Sequence, residues 1–271
     1  MIEIEFKRMT GFHKIENLWK IEYELKTLQP FITQSAYREA SEEIEVMLRK
    51  EIPKDLDFVP LVVDDRAIIT GNSIKGLFRH IISAQLTQAG QEVCVQEVKL
   101  EGTQPEERKE QCKPDNPCFV CTWFGTASRQ GALHFSFLKS VEKIENILLA
   151  SPIPMIAMRD DYKALKAKRG KGAFALIAPV KEGVVFKGWI KGENLSDEII
   201  GAIKEIQEWS KRGFLQLGGL KTRGFGAVEM KIDRIERYKA SPLELEKAYE
   251  GNELESFLRE CHNAYKKLLK K

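Results

Sequence analysis

The sequence contains no apolar run of the roughly 18 residues that a membrane-spanning helix needs. Its first nine residues, MIEIEFKRM, also lack the apolar block of a secretory signal. These two absences predict a cytoplasmic protein with no membrane partner. Charge of one sign is not in large excess, because 43 Lys and Arg residues stand against 40 Asp and Glu residues, for a formal net charge of +3. Bulk charge therefore does not indicate a nucleic-acid-binding protein, and the local arrangement of charges has to decide.

Cysteine is sparse as well, with five residues in the chain, but four of them lie close together. In a cytoplasmic protein such a group favours a metal site over disulfide bonds. The spacing Cys112-x5-Cys118-x2-Cys121 is compact enough for three thiolates to bind one ion. A fourth ligand would complete a closed tetrahedral Zn²⁺ site, and the candidates for it are Cys94 and His80.

The segment that carries these cysteines, 90–125, has few periodic apolar positions. Such a segment builds little core of its own, so it needs another source of order. We therefore expect residues 90–125 to form an insertion folded around a structural Zn²⁺. The fifth cysteine, Cys261, lies at core spacing with Leu258 and Tyr265, which predicts a buried packing residue.

Apolar side chains alternate with polar ones in four segments, which predicts half-buried strands. These segments are 18–28, 131–140, 184–190 and 227–232. Apolar residues recur at helical spacing in 73–88 and 196–211, and the pattern Ser241-Pro242-x-Glu244 indicates the start of a C-terminal helix over 240–271. Two helices that interrupt an antiparallel set of strands predict an α+β protein with a ferredoxin-like (RRM-like) core and insertions.

The segment LGGLKTRGFGAVEM, residues 217–230, combines four glycines with two cations directly before an alternating strand. Glycine reaches positive φ and allows a backbone to approach a ligand closely. We therefore expect main-chain amides and cations to contact phosphate oxygens here, and a tight turn before an edge strand is the alternative. The candidate residues are Gly218, Gly219, Lys221, Arg223, Gly224 and Gly226.

A second candidate phosphate site lies at the start of the first predicted helix, in GNSIKGLFR. Asn72 or Ser73 is placed to cap the first turn, where free amides and the helix dipole favour an anion. Lys75 and Arg79 are four residues apart, so they share one face of the helix. We expect all four residues to contact phosphates, and solvated surface charges are the alternative.

Basic residues also collect in MRDDYKALKAKRGKGAF, residues 158–174, where Gly170 and Gly172 lie among the cations. The strand VVFKGWI follows, so we expect a basic hairpin over 155–180. Its candidate phosphate-binding residues are Arg159, Lys168 and Arg169.

The segments ITGNSIKGLFR and GGLKTRGFGAVEM together resemble the first helix and the C-terminal glycine loop of the RAMP superfamily, the repeat-associated proteins of CRISPR systems. CFVCTWFGTAS is similar to the cysteine-rich segment of type III effector backbone subunits, and GAFALIAPVKEGVVFKGWI is similar to their hairpin and strand. The likeness is spread over residues 18–235. After the first strand the family usually has His-Ile-Gly-Gly, whereas this chain has QPFITQ. We expect residues 1–271 to form a single RAMP-type domain.

This resemblance implies a guide-RNA-binding backbone subunit of a type III CRISPR effector, with a basic thumb hairpin and a role in antiviral defence. The implied partners are the guide RNA, the target RNA and other effector subunits. A protein that holds any guide sequence has to grip the RNA backbone, because phosphate contacts carry no sequence information directly. The abundant Lys and Glu residues also favour a thermophilic source.

The resemblance also implies two enzymatic alternatives. In target-cleaving subunits a loop aspartate upstream of the first helix supports metal-dependent RNA cleavage, and Asp57 is the similar residue here. Such a carboxylate holds a divalent ion on a phosphate. In the branch that processes guide precursors a histidine acts as acid or base, and His13 is the candidate. We favour a binding subunit over either enzyme.

Overall fold

A computed structural model of the chain describes residues 15–32, 59–94, 112, 116–126, 129–149, 153–156 and 174–270. The strands are β1 (Asn17–Thr27), β2 (Val62–Val63), β3 (Arg66–Ile69), β4 (Leu133–Phe135), β5 (Leu138–Ser140), β6 (Ile153–Ile156), β7 (Phe174–Ile177), β8 (Val185–Glu193), β9 (Val228–Ala240) and β10 (Leu243–Tyr249). The α-helices are α1 (Gly71–Gln88), α2 (Phe119–Phe124), α3 (Ile144–Ile147), α4 (Asp197–Lys211) and α5 (Gly251–Leu268).

Eight of these strands form one sheet in the order β10-β9-β1-β8-β5-β3-β2, with β4 also paired to β8. β4 and β5 pair with successive parts of β8, so they replace the single strand predicted over 131–140. Taken as one strand, they complete a β-α-β-β-α-β unit whose strands lie in the order fourth, first, third, second. The α+β class and the ferredoxin-like core predicted from the sequence are confirmed.

The central strand β1 has two different sides. Trp19, Ile21, Tyr23 and Leu25 are buried, whereas the residues between them are half-buried. This alternation arises because successive side chains of a strand point to opposite sides of the sheet. The helices α1, α4 and α5 contribute to the core on the buried side, where the Trp19 indole stacks on Phe257 of α5. The opposite side is called the open face below.

Helix α1 begins two residues earlier than predicted. Thr70 is its N-cap, and the Thr70 hydroxyl accepts a hydrogen bond of 3.4 Å from the Ser73 amide. Neither Asn72 nor Ser73 therefore has the capping role that we expected. A Cβ at Gly71 would lie 2.5 Å from the carbonyl oxygen of Phe135, so the helix starts in direct contact with the end of β4.

Helix α4 matches its prediction. Ser196 occupies the N-cap position, although its side chain makes no capping hydrogen bond with the described residues. The predicted apolar face is buried and consists of Ile199, Ile200, Ile203 and Ile206.

The segment before the C-terminal helix differs from its prediction. The structure has an edge strand, β10, where we expected the first turns of a helix from Ser241, and α5 begins only at Gly251. Apolar and acidic residues alternate with a period of two in the segment LELE, which is the pattern of a strand. Pairing of this segment with β9 outweighs the capping-box pattern. The predicted helix over 240–271 is therefore wrong at its start, and the chain is helical only from Gly251 onwards.

Helix α5 packs on α4 at very short range. A Cβ at Gly201 would lie 2.0 Å from the carbonyl oxygen of Cys261, so only glycine permits this contact. Leu254, Leu258, Cys261 and Tyr265 are buried on the contacting side of α5. The packing role predicted for Cys261 is confirmed, and burial raises the pKa of its thiol to about 12.

Strands β6 and β7 form a separate antiparallel pair, in which Ile153 lies opposite Ile177. They lie at the two ends of the segment predicted as a basic hairpin, 155–180, and the hairpin itself stays a prediction. The connecting residues carry the candidates Arg159, Lys168 and Arg169, which lie outside the described residues.

Candidate nucleic-acid interface and metal centre

Lys75 and Arg79 both lie on α1 as predicted, but they have different surroundings. Lys75 is half-buried, and burial together with the neighbouring Arg79 charge lowers its pKa. Arg79 donates a hydrogen bond of 2.9 Å from Nη1 to the carbonyl oxygen of Gly125. Its Nη2 atom lies 4.0 Å from Sγ of Cys121. Arg79 thus joins α1 to the cysteine-rich insertion, whereas Lys75 has no such structural role among the described contacts.

The glycine loop, residues 217–226, is a compact connection between α4 and β9. Gly218 and Gly226 have φ values of 79° and 87°, a region that other residues rarely adopt. A Cβ at Gly218 would lie 2.2 Å from the carbonyl oxygen of Ile32, and one at Gly226 would lie 2.1 Å from that of Leu217. The fold of the loop itself therefore requires glycine at both positions.

Two glycine amides of the glycine loop bind the backbone of the segment after β1. The Gly226 amide donates to the carbonyl oxygen of Pro30 at 3.0 Å, and the Gly219 amide donates to that of Ile32 at 3.4 Å. Both acceptors belong to the QPFITQ segment after β1. These glycines tie the loop to that segment, which is a different use of their amides from the phosphate contacts that we predicted.

Between these contacts the tip of the glycine loop is exposed. Lys221, Thr222 and Arg223 form one turn of 3₁₀-helix, and all three are exposed. Leu220 and Gly224, on either side of the turn, have left-handed backbone conformations with φ values of 58° and 83°. The tip therefore holds two cations on a backbone that is fixed at both ends.

The glycine loop and the start of α1 contact different parts of the sheet. The glycine loop leads into β9, whose first residue pairs with Thr27 of β1. Helix α1 instead starts beside Phe135, which pairs with Ile190, and Ile190 pairs with Ile21 of β1. Thr27 and Ile21 are six residues apart on β1, which corresponds to about 20 Å along the strand. The two candidate phosphate sites are therefore separate contacts and do not form one pocket.

The four cysteines predicted as metal ligands come together in one cluster. Cys94 lies shortly after α1, and Cys112, Cys118 and Cys121 precede or belong to α2. Their Sγ atoms all lie within 4.8 Å of one another. Four thiolates at about 2.3 Å from a Zn²⁺ ion would be about 3.8 Å apart, so the cluster fits such an ion after small adjustments. The exposed residue His80 is not a member of the cluster.

Contacts inside the cluster change the ionisation of its thiols. Burial and the neighbouring thiols raise the pKa of Cys121, and burial also raises the pKa of Cys112. Burial acts in the same direction on Cys118, but hydrogen bonds from nearby amides and thiols outweigh it and lower the pKa of that thiol. The Cys118 amide donates to Sγ of Cys112 at 3.3 Å. Four thiols of this kind are a donor set for a thiophilic divalent ion, which displaces their protons on binding.

Helix α2 holds Cys121 in a buried position. Trp123 and Phe124 of the same helix are buried in the core. Gly125 follows with a φ value of 79°, and a Cβ there would lie 2.5 Å from the amide nitrogen of Gly131. The Phe-Gly pair after the Cys-x2-Cys motif thus allows α2 to pack directly on the chain that leads into β4.

Several features of the site were not evident from the sequence. The N-cap role of Thr70 could have been predicted, since threonine is a good N-cap residue and Thr70 directly precedes the first helical glycine. Arg79 had none, because its partner Gly125 is 46 residues away in the chain. The two candidate catalytic residues, Asp57 and His13, lie outside the described residues, so RNA cleavage stays a prediction.

The strand order, the two helices of the core and the inserted thiol cluster define a ferredoxin-like α+β protein whose four clustered cysteines could hold a metal ion. Its sequence matches the RAMP superfamily over residues 24–229, and the chain belongs to that superfamily. This membership indicates a CRISPR-associated, RNA-binding function. A comparison with curated proteins found no match. Within the part of the chain that the structure describes, no helix has the length and apolar character to cross a membrane.

Proposed function

We propose that the chain is a guide-RNA-binding backbone subunit of a type III CRISPR effector in antiviral defence. Membership of the RAMP superfamily supports an RNA ligand. The observation that carries the proposal is the exposed turn Lys221-Thr222-Arg223, held on a loop whose ends are fixed by hydrogen bonds. Such a turn offers cations to phosphate oxygens at a fixed position and holds RNA of any sequence.

The proposed RNA path runs from the glycine loop to the start of α1. Lys75 is the cation of α1 on this path, and the exposed side chains of Asn72 and Ser73 lie beside it. A separation of about 20 Å along the sheet is too long for a single phosphate and suits phosphates several nucleotides apart on one strand. Target RNA and other effector subunits are the further partners in this proposal. The proposal also includes a thermophilic source and a single domain over 1–271.

We also propose that the thiol cluster holds a structural Zn²⁺. The ligands are Cys94, Cys112, Cys118 and Cys121. Four thiolates leave no open coordination position, so the ion would stabilise the insertion and would not activate water.

The RNA proposal is tested by the single variant Lys75→Ala and the double variant Lys221→Ala, Arg223→Ala. Binding of labelled single-stranded RNAs of unrelated sequence is measured by fluorescence anisotropy over a range of salt concentrations. We expect weaker binding to every sequence, and a plot of log affinity against log salt that is shallower by about 0.7 per phosphate contact removed.

The matched control is Lys247→Ala on β10. Lys247 is an exposed cation, and its Nζ lies 2.8 Å from Oε1 of Glu253, away from the proposed path. This variant should bind RNA as the wild-type protein does. If the Lys75 and Lys221–Arg223 variants also bind with unchanged affinity, the proposed interface is wrong.

A further inference from the structure

The open face of the sheet has a pattern on β8 that the proposed RNA path does not use. Phe186 and Ile190 are buried on the helix-covered side, so Lys187, Trp189 and Lys191 project from the opposite side. Both lysines are exposed, and Trp189 is half-buried. On its open face β8 therefore presents a cation, an indole ring and a second cation in sequence.

The neighbouring strands add two more basic side chains to this pattern. His134 of β4 lies opposite Lys191, and Lys139 of β5 lies opposite Lys187. Both residues are exposed. We call His134, Lys139, Lys187, Trp189 and Lys191 the β8 stripe.

The backbone at the centre of the β8 stripe is fixed. The Trp189 amide donates a hydrogen bond of 2.8 Å to the Ser136 hydroxyl, and the Ser136 amide donates one of 3.0 Å to the Trp189 carbonyl oxygen. Phe137, the next residue along the chain, is 57% exposed. The Trp189 indole therefore lies on a fixed strand. The exposed ring of Phe137 is one residue from Ser136, which binds the Trp189 backbone.

The cations of the β8 stripe are only weakly neutralised. Lys139 Nζ lies 3.2 Å from Asp64 and Lys187 Nζ lies 3.9 Å from Glu24, with the two lysine side chains 51% and 63% exposed. Ion pairs with such exposure contribute little and exchange readily for another anion. The Lys191 ammonium lies over the Trp189 ring, 4.5 Å from its centre. All three ammonium groups are therefore able to turn toward an incoming phosphate.

A groove of about 460 Å³ opens beside the β8 stripe. Its lining includes Leu18, Lys20, His134, Lys191, Tyr238 and Leu243. One acidic residue, Glu193, also lines it, and Lys20 is paired with Glu22. The volume lies within the range of small-ligand sites, about 300–1,000 Å³. Apolar and aromatic walls with cations at the rim suit a nucleobase and the phosphate attached to it.

We propose that the β8 stripe is a second RNA contact, at which an unpaired base stacks on Trp189 while Lys187 and Lys191 bind the flanking phosphates. The proposal rests on the RNA-binding function proposed above, and it adds a contact on the opposite side of the sheet from α1. Stacking on an aromatic ring is tolerant of sequence, because every base has a π face. A protein partner is the less suitable occupant, because protein interfaces are depleted in lysine and this surface is rich in it.

The test uses a labelled oligouridylate of about twelve nucleotides and measures its affinity by fluorescence anisotropy. Trp189→Ala should weaken binding by about tenfold or more, and Trp189→Phe should keep most of the affinity because it keeps a stacking ring. Val63→Ala is the control, since Val63 is 40% exposed and lies on the edge strand β2, outside both the glycine loop and the β8 stripe. This control should bind as the wild-type protein does.

A second variant guards against a folding defect in Trp189→Ala. Lys187→Glu with Lys191→Glu changes only exposed side chains, and it should reduce both the affinity and its salt dependence. Unchanged affinity in this variant and in folded Trp189→Ala overturns the proposal. If the Lys221–Arg223 variant loses affinity in the same experiment, the proposed function stands without the β8 stripe. Loss of a co-purifying protein with RNA affinity retained would assign the stripe to a protein interface instead.

Discussion

The glycine loop and the cysteine-rich insertion are ordered in opposite ways. The loop is held by its own backbone, through the amides of Gly219 and Gly226 and through carbonyl contacts that exclude any Cβ. The described part of the insertion is held by side chains, namely the thiol cluster and the Arg79 bridge to Gly125. The loop should therefore tolerate changes of its exposed side chains, whereas the insertion should depend on individual side chains and on an ion.

Removal of the proposed Zn²⁺ should have the largest effect. Binding of a structural Zn²⁺, worth about 10–16 kcal/mol in small zinc domains, also supplies the folding free energy of the segment that it holds. We expect Cys118→Ser or a strong chelator to expose the insertion to limited proteolysis while α4 and β9 stay folded. Mass spectrometry of the fragments and metal analysis check this outcome.

The matched control is Cys261→Ala, which removes a buried thiol that is not part of the cluster. It should lower stability without lowering the metal content. A wild-type protein that carries less than about half a zinc ion per chain, when purified without chelator, would contradict the zinc proposal.

A methyl group at Gly226 should have the next largest effect. Gly226→Ala places a Cβ 2.1 Å from the Leu217 carbonyl oxygen at a φ of 87°, so the loop has to move. We expect a loss of about 3 kcal/mol in the free energy of unfolding, measured by urea denaturation. Gly224→Ala has the same kind of φ but open space around it, and it should cost about 1–2 kcal/mol.

Gly219→Ala completes this series, because Gly219 has neither a positive φ nor an atom near its added Cβ. It should change stability by no more than about 0.5 kcal/mol. Equal losses at all three positions would mean that the loop is ordered by something other than its close carbonyl contacts.

The bridge from Arg79 should have an intermediate effect. Arg79→Met removes a charged donor from the Gly125 carbonyl and should cost about 1.5–3 kcal/mol of stability. Arg79→Lys keeps the charge but shortens the reach, so it should recover only part of the loss. A fall in RNA affinity with unchanged stability would instead support the phosphate contact first predicted for Arg79.

The smallest effect on stability belongs to the exposed tip of the glycine loop. Lys221→Ala with Arg223→Ala should change the free energy of unfolding by less than about 0.5 kcal/mol while it weakens RNA binding. Thermal denaturation and anisotropy on the same preparation separate the two quantities. A large loss of stability would show that these side chains also hold the loop together.

The sequence predicted the elements whose apolar periodicity is strong. β1 and α4 follow their predictions because tertiary packing agrees with the local pattern. The cysteine spacing also predicted the thiol cluster, in which Cys94 joins the three closely spaced cysteines. Tertiary pairing outweighed a local pattern in one place. The residues after Ser241 pair with β9 as a strand despite their capping-box pattern.

The site was less predictable than the fold, because its decisive contacts link distant parts of the chain. Four glycines indicated a backbone with special conformations, but the pattern did not show whether its amides face a ligand or the chain itself. Hydrogen bonds to Pro30 and Ile32 show that two of them face the chain. The partner of Arg79 was hidden for the same reason, whereas Lys221 and Arg223 are exposed, as the predicted phosphate contact would require.

The close approach at Gly201 gives Cys261 a use as a chemical reporter. The Cys261 thiol is fully buried where α5 crosses α4, so a maleimide can react with it only after the two helices separate. In a variant whose four clustered cysteines are replaced by serine, or with the proposed Zn²⁺ bound to them, the rate of coupling at this single thiol would time the transient detachment of the C-terminal helix.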